Sequence, residues 1–161
     1  MMTPANNDRR SARIILLNAA QDVLLIRFAV ERHRQPFVFW ATPGGSVEKG
    51  ETDLETARRK LAEELALNVF LTGPVHTVAS RFEHEGKLVD NIDVFFLGRL
   101  EHQGVALHFA TQAERAAMKE IKWWTIGELE RSSETFFPRD LAGVLRSLPA
   151  LVTPKSSTSA R

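Results

Sequence analysis

The sequence predicts an α/β (α+β) domain in which a mixed β-sheet lies between helices. Two observations lead to this fold class. Short apolar segments of strand length lie on both sides of one long stretch with helical spacing, residues 54–65. A second stretch with helical spacing, residues 138–148, follows the last of these strands. Strands that precede and follow a long helix fit a sheet that is covered on both faces by helices.

The composition indicates one globular domain and excludes several kinds of site. The chain has 161 residues, of which 43% are hydrophobic, so it is long enough for one buried core. The formal net charge of +1 gives no support for nucleic-acid binding through bulk charge. The absence of cysteine excludes disulfides, thiolate catalysis and cysteine metal sites, and it fits a cytoplasmic protein. No apolar run approaches the roughly 20 residues of a membrane helix, so we expect no membrane partner.

Polar ends are predicted to flank the folded part of the chain. Residues 1–11 are expected to form a flexible N-terminal arm, which lacks the apolar core of a signal peptide. The Ser/Thr-rich residues 150–161 are expected to form a disordered tail. These boundaries place the domain at residues 12–149.

The segments before the long helix predict a three-stranded unit. Residues 18–22 are typical of a turn between two apolar runs, which predicts a hairpin. Pro43 ends the third, aromatic run, because proline cannot donate a hydrogen bond to a strand ladder. The three predicted strands span residues 13–17, 23–28 and 37–42.

The segments after the long helix predict further strands and three helices. Residues 69–71 could form a short strand, which Gly73-Pro74 is expected to end. Two Thr-x-x-Glu sequences, at 111–114 and 125–128, have the spacing of capping boxes, which mark helix starts. Pro138 suits the first turn of the last helix. The predicted strands are residues 75–82, 88–100, 105–109 and 120–125, and the predicted helices are residues 111–119, a short helix from 125, and 138–148.

The long central stretch predicts an amphipathic helix with one apolar face. At roughly 100° per residue, Leu61 and Leu65 each lie within about 20° of Leu54, so the three leucines form a stripe that is expected to be buried. Glu63 and Glu64 project to the other side of the helix. We therefore predict that both carboxylates lie on its open face.

The start of this helix carries capping signals. Thr52 or Asp53 can cap the N-terminus, and Glu55 stands three residues after Thr52, as in a capping box. Glu51 and Asp53 place negative charge at the positive end of the helix dipole. These residues explain why the helix begins here.

The adjacent carboxylates Glu63 and Glu64 are not needed for folding. Neighbouring carboxylates repel each other unless water screens them or a cation lies between them. Hard divalent cations such as Mg²⁺ take oxygen ligands of this type. The spacing of the pair alone favours a solvated helix face, and the alternative is a metal site, which gains support once Gly45, Glu51 and Arg59 are considered with the pair.

Residues 45–67 resemble the Nudix box, the signature of hydrolases that cleave nucleoside diphosphates linked to another group. Gly45 is followed after five residues by Glu51, and after seven more by Arg59. Residues 59–67 read Arg-Lys-Leu-Ala-Glu-Glu-Leu-Ala-Leu, where the family has Arg-Glu-apolar-any-Glu-Glu-any-Gly-apolar. The spacing matches throughout, and the resemblance covers about residues 11–148.

The resemblance implies a Nudix-type α/β/α sandwich and a particular chemistry. The implied activity is divalent-metal-dependent hydrolysis of a diphosphate linkage. The implied substrate is a small molecule of the nucleotide type, either a nucleoside di- or triphosphate or a nucleoside diphosphate linked to another moiety. The implied cofactor is Mg²⁺ or Mn²⁺, and a homodimer is left open as an assembly.

The resemblance also assigns roles to residues of the box. Glu63, Glu64 and the carbonyl of Gly45 would hold the metal. Arg59 would hold the glutamates in place through charge-assisted hydrogen bonds. Glu51 would orient the loop or Arg59, and it is counted with the catalytic residues.

The general base is left open between two carboxylates, Glu64 and Glu114. In some relatives a glutamate well after the box supplies a missing base or ligand. Glu114 and Glu120 are the candidates for this role here, and Glu114 is preferred. The structural alternative for Glu114 is a capping box with Thr111.

Two residues depart from the family pattern. Lys60 stands where the family has a glutamate, and its ammonium would lie close to the glutamates and repel a metal. The alternative function is therefore a catalytically weakened Nudix-like module that binds a nucleotide or metabolite. Ala66 stands where the family has a glycine, at a cost of roughly 1 kcal/mol in a left-handed conformation. Because Asn68 tolerates that conformation, we expect the helix to run two residues further.

Three side chains outside the box are candidates for substrate binding. Arg27 and Arg81 could meet phosphates, and the alternative is that both are exposed strand arginines. Phe39 could stack on a base, and the alternative is a place in the core. The five histidines show no metal-ligand spacing.

Overall fold

The first strand lies in the interior of the sheet and pairs with three other strands. The computed structural model describes residues 8–84, 86–101, 104–109 and 111–148. Within these residues the strands are β1 (Asp8–Leu17), β2 (Val23–Arg32), β3 (Gln35–Ala41), β4 (Gly44–Ser46), β5 (Leu71–His84), β6 (Lys87–Arg99), β7 (Met118–Trp124) and β8 (Phe136–Phe137). The helices are α1 (Asp53–Leu65), α2 (Gln112–Ala117), α3 (Ile126–Arg131) and α4 (Leu141–Ser147).

The eight strands form one mixed sheet in the order β5-β6-β1-β2-β3-β8, with β4 paired to β1 and β7 paired to β2. β1 runs parallel to β6 along its whole length. On its other side, β1 meets β2 only at Leu17↔Val23, and β4 pairs with β1 at residues 11–13. The sheet therefore divides along β1, and the two glycines of β4 lie at this division.

Two apolar clusters fill the space on the two faces of the sheet. Alternation along β1 sends Ile14 and Leu16 to the cluster of α1, and Ile15 and Leu17 to the cluster that contains the residues of α4. The α1 face also buries Leu24, Leu61 and Leu65, and the α4 face buries Leu25, Trp40, Trp124 and Leu145. The predicted arrangement of a mixed sheet between helices is confirmed.

The predicted N-terminal boundary is wrong by four residues. β1 begins at Asp8, and Ser11, which was assigned to the flexible arm, is 1% exposed. The physical reason is backbone pairing: polar residues of β1 take part in the ladders with β4 and β6, which the apolar pattern does not indicate. Residues 1–7 of the predicted arm and the predicted tail at 150–161 lie outside the described residues.

Other boundaries shift for local reasons. Gly73-Pro74 does not end a strand but lies inside β5, where the pairing register with β6 shifts. The last helix begins after Asp140, whose side chain accepts a hydrogen bond from the amide of Gly143, and Pro138 precedes it. Residues 105–109 form no strand.

Within the ranges that the structure describes, no helix is both long and apolar enough to cross a bilayer.

Candidate active site

The start of α1 is fixed by the capping residues that the sequence indicates. The side chain of Thr52 accepts a hydrogen bond from the amide of Glu55, and the carboxylate of Glu55 accepts one from the amide of Thr52. Both halves of the predicted capping box are therefore present. Before it, Gly44 has a φ of 145°, and a Cβ at this position would collide with the backbone of Ala12. Glycine is thus required for β4 to lie against β1.

Arg59 and Glu51 form the polar centre of the loop before α1. The carboxylate of Glu51 accepts hydrogen bonds from Arg59 Nε at 2.6 Å and Nη2 at 3.0 Å. It also accepts from the hydroxyl of Thr56 at 2.6 Å and from the amide of Glu48 at 3.0 Å. The Arg59 guanidinium, with these other donors, lowers the pKa of Glu51 to about 2.

The second edge of the Arg59 guanidinium connects the loop to the end of the helix. Nη1 lies 3.3 Å from the carboxylate of Glu63, and Nη2 donates to the carbonyl of Ser46 at 3.2 Å. Hydrogen bonds to Glu51 raise the pKa of Arg59, so this side chain carries its charge at all physiological pH values. Arg59 therefore joins Glu51 to Glu63, whereas the described side-chain contacts of Glu64 are with Gly44 and Lys60. The role of Arg59 in catalysis stays a prediction.

Glu64 is buried, and its predicted position on the open face is wrong. Its side chain is 4% exposed, and Oε1 accepts a hydrogen bond from the amide of Gly44 at 3.1 Å. The helix pattern misplaces this residue because β4 covers the flank of α1, so the buried arc is wider than the leucine stripe. Burial raises the pKa of Glu64 to about 7, against the opposing charge of Lys60.

Lys60 lies among three carboxylates. Its Nζ is 2.9 Å from Glu114 Oε2, 3.4 Å from Glu63 Oε1 and 3.6 Å from Glu64 Oε2. The side chain is 13% exposed. Burial lowers the pKa of Lys60, but the hydrogen bond to Glu114 and the charge of Glu64 together raise it above its ordinary value. Lys60 is therefore an ammonium ion in this site.

Gly45 leaves room for the aliphatic chain of Lys60. A Cβ built on Gly45 would lie 2.8 Å from Lys60 Cε and 3.4 Å from Nζ. The lysine thus lies across the residue whose carbonyl was predicted to hold a metal. In the part of the chain that the structure describes, no three or more acidic or histidine side chains form a group that could hold a metal ion. The predicted ligands do not fit a divalent ion at the position that the ammonium fills.

Helix α2 places Glu114 at the site. A candidate general base must lie there, close to the carboxylates of α1. Thr111 accepts a hydrogen bond from the amide of Glu114 and so caps α2, while the Glu114 carboxylate accepts from Lys60 Nζ. Glu120 is not brought there: it lies on β7, and its carboxylate accepts a hydrogen bond from Arg27 Nε at 2.6 Å.

Among the predicted substrate-binding residues, Phe39 lies on the same face of the sheet as α1. It pairs with Phe28 across β2 and β3, and the two rings stack at 5.2 Å with an interplanar angle of 10°. By strand alternation from Leu24, both rings project to the α1 side. Both are partly exposed, so Phe39 is not a core residue.

The two predicted arginines are not brought to the carboxylates of α1. Arg27 pairs directly with Trp40, which packs on the α4 face, so the guanidinium projects to that side. Arg81 lies on β5 and pairs with Asp90 at 2.7 Å, in a groove of about 510 Å³ that also includes Asp8 and Arg9. Their proposed contact with phosphates stays a prediction.

Sequence reasoning missed the backbone partners of Glu64. Besides the Gly44 amide at its carboxylate, the backbone carbonyl of Glu64 accepts a hydrogen bond from the amide of His108 at 2.7 Å. No side-chain pattern signals a backbone donor, so nothing in the sequence indicated either of these hydrogen bonds. The contact between Lys60 and Glu114 spans 54 positions, and no local spacing links these residues.

Comparison with solved structures supports the fold. The chain is similar to the MutT protein from Methanosarcina mazei Go1, with 21% identity and a TM-score of 0.65 over 86% of this chain and 91% of that one. It is similar to the Escherichia coli dihydroneopterin triphosphate pyrophosphohydrolase, with 18% identity and a TM-score of 0.61 over 86% and 94%. The NUDIX domain of Shewanella oneidensis NrtR, complexed with ADP ribose, has 19% identity and a TM-score of 0.63 over 90% and 97%.

Comparison with curated sequences gives a partial match. The chain is 33% identical over 66 residues to a protein of Bacillus subtilis (strain 168) that is provisionally named 8-oxo-dGTP diphosphatase. The match covers 41% of this chain and 40% of that protein, so the chain spans about two fifths of the relative's length.

A sequence model of the NUDIX domain matches residues 7–145, which is most of the chain. This match agrees with the box residues in register at α1 and with the mixed sheet between helices. The chain therefore belongs to the NUDIX domain family.

Proposed function

We propose that this domain hydrolyses a diphosphate linkage in a nucleotide-type substrate, at the site formed by α1, β4 and α2. One observation carries the proposal: the box residues assemble in space as well as in sequence. Arg59 joins Glu51 to Glu63, and Glu64 is anchored on the amide of Gly44. The dihydroneopterin triphosphate pyrophosphohydrolase among the structural neighbours supports the same activity.

The proposed reaction is attack of a water oxygen on one phosphorus of the diphosphate. The bond from that phosphorus to the bridging oxygen breaks, and the leaving phosphate keeps this oxygen. The proton of the water passes to a carboxylate, Glu64 or Glu114. Proton transfer to a positioned base contributes typically about 10²–10⁴-fold to the rate.

We assign recognition of the base to Phe39. Its stacked pair with Phe28 is partly exposed on the α1 face, and Phe28 pairs across the sheet with Met118, which follows directly after α2. Stacking of a base on an aromatic side chain is worth about 1–3 kcal/mol. The complex of NrtR with ADP ribose and the name of the curated relative support a nucleoside diphosphate or triphosphate as the ligand.

The test is phosphate release from a panel of nucleoside di- and triphosphates and ADP-ribose. Each substrate is assayed with Mg²⁺, with Mn²⁺ and with a chelator, since these ions are the cofactors that the family implies. On a confirmed substrate, Glu64→Gln and Glu114→Gln are expected to lower kcat, the loss being about 10²-fold or more for the residue that is the base. Glu31→Gln, at an exposed position away from the site, is the matched control. Full activity in both site variants would contradict the proposal.

A second candidate function is binding without cleavage, and Lys60 favours it. The ammonium lies among the carboxylates that the family would use for a metal. This candidate predicts saturable binding of ADP-ribose or a nucleoside triphosphate by calorimetry, with no phosphate release under any metal condition. Turnover of any substrate on the panel would exclude it.

A further inference from the structure

We propose that the Lys60 ammonium is the resident cation of the cluster formed by Glu63, Glu64 and Glu114, and that it keeps a divalent ion out of this position. The proposal goes beyond hydrolysis, because it concerns which cation the carboxylates hold and does not depend on turnover. Three observations support the proposal: the distances from Lys60 Nζ to the carboxylates, the burial of these side chains, and the path of the lysine side chain along Gly45.

The geometry matches the donors of an ammonium to the acceptors around it. An ammonium has three N–H donors, and three carboxylates from two helices surround Nζ at 2.9–3.6 Å. The carboxylates of Glu63 and Glu64 come from α1, and that of Glu114 comes from α2. One positive charge thus lies between three carboxylates that would otherwise repel each other.

Burial makes this arrangement different from an exposed ion pair. The side chain of Lys60 is 13% exposed, Glu114 is 19% exposed and Glu64 is 4% exposed. Salt and water screen such a group less than they screen charges on the surface. A free ion must therefore displace a partly buried partner that already offsets part of the negative charge of the carboxylates.

The lysine side chain reaches the carboxylates along the surface of Gly45. A Cβ built on Gly45 would lie 2.8 Å from Cε and 3.2 Å from Cδ of Lys60, so the glycine leaves room for this course. The tether also makes the competition intramolecular, since a group on a short flexible link acts at an effective concentration on the order of mM. Free Mg²⁺ or Mn²⁺ can enter the cluster only if it binds the carboxylates strongly enough to displace an ammonium at this effective concentration.

The test is calorimetric titration of the full chain with Mn²⁺ alone, for the wild type, Lys60→Met and Lys60→Glu. Methionine removes the charge and keeps an unbranched side chain, whereas glutamate also adds a ligand. We expect weak or undetectable binding to the wild type, at least about tenfold tighter binding to Lys60→Met, and tighter binding again to Lys60→Glu. Lys87→Met, at an exposed position of β6, is the matched control and should bind as the wild type does.

A second substitution locates the ion. In the Lys60→Met background, Glu63→Gln should weaken Mn²⁺ binding at least about tenfold, whereas Glu31→Gln should leave it unchanged. Equal Mn²⁺ affinity of the wild type and Lys60→Met would overturn the proposal, and so would an affinity that Glu63→Gln does not change. If Lys60→Met does not fold, the titration of the wild type alone tests the proposal. Tight, saturable Mn²⁺ binding to the wild type that Glu63→Gln abolishes would then overturn the proposal. The wild type and all variants could also show no nucleotide hydrolysis while their Mn²⁺ affinities are as expected. That result would contradict the proposed hydrolase activity but would still support the inference about Lys60.

Discussion

Two glutamates of the same box differ in their pKa values because their surroundings differ. Glu51 accepts hydrogen bonds from an arginine and from other donors, which lower its pKa to about 2. Glu64 lies in a buried position with one amide donor, and burial raises its pKa to about 7. The residue type is identical, so the partner and the solvent access decide the charge of each group at neutral pH.

Glu51 is expected to make the stability of the domain depend on pH in the acid range. Because the folded state lowers the pKa of Glu51 from 4.5 to about 2, its contribution is complete above the unfolded value. The contribution is lost as the pH falls through about 2. We expect Glu51→Gln to melt at a lower temperature than the wild type at about pH 6, with a smaller difference at about pH 3.

Melting temperatures of both proteins at the two pH values measure this effect. Glu31→Gln is the control for removal of a carboxylate at an exposed position, and its difference from the wild type should stay small at both pH values. A Glu51→Gln difference that is equal at the two pH values would show that the bonds to Arg59 do not stabilise the fold.

At the scale of elements, α1 ends where the backbone turns left-handed. Its C-cap is Ala66 with φ 55° and ψ 38°, and the Ala66 amide donates to the carbonyl of Ala62. The prediction that the helix continues to Asn68 is therefore wrong. The chain takes the turn at the position where the family has glycine, although alanine disfavours this conformation.

Ala66→Gly is expected to stabilise the domain, because glycine adopts a positive φ without steric strain. The free energy of unfolding should rise by about 1 kcal/mol. Ala62→Gly, at an exposed position inside the same helix, is the matched control and should lower it by about 1 kcal/mol. Urea unfolding of the three proteins measures both changes. A loss of stability in Ala66→Gly would mean that residue 66 does not hold the left-handed conformation.

At the scale of the whole molecule, β1 connects the two parts of the sheet and β4 holds the site against it. Gly44 lies opposite Arg13 in this pairing, and its amide also donates to the buried carboxylate of Glu64. A change at Gly44 therefore affects the sheet and the site together.

Gly44→Ala is expected to destabilise the whole domain. A positive φ costs a residue with a side chain roughly 1–2 kcal/mol, and overlap of the new Cβ with the backbone of β1 adds to this cost. Gly50→Ala is the matched control: its φ is 88°, but a Cβ there meets no atom within 4 Å. Gly44→Ala should therefore lose more unfolding free energy than Gly50→Ala. Equal losses, measured by urea unfolding, would show that β4 can move away from β1.

The sequence alone determined the elements that depend on local pattern. The leucine stripe and the capping box of Thr52 and Glu55 place α1, because helix periodicity and caps act over a few residues. The mixed sheet between helices also follows from the order of segments, and the Nudix fold is what the resemblance of residues 45–67 to the Nudix box implies. Residue identity further indicated the importance of Lys60, since it replaces a glutamate in an otherwise regular pattern.

Only the tertiary structure decided the environment of each side chain. Helical spacing gives the direction of Glu64 but not what covers it, and β4 buries it. The contact of Lys60 with Glu114 depends on how α2 returns to α1 after the hairpin of β5 and β6. Strand pairing likewise extends β1 to Asp8, because a ladder uses backbone groups that all residues share. Contacts between distant segments arise from packing of the whole chain, and no local pattern encodes them.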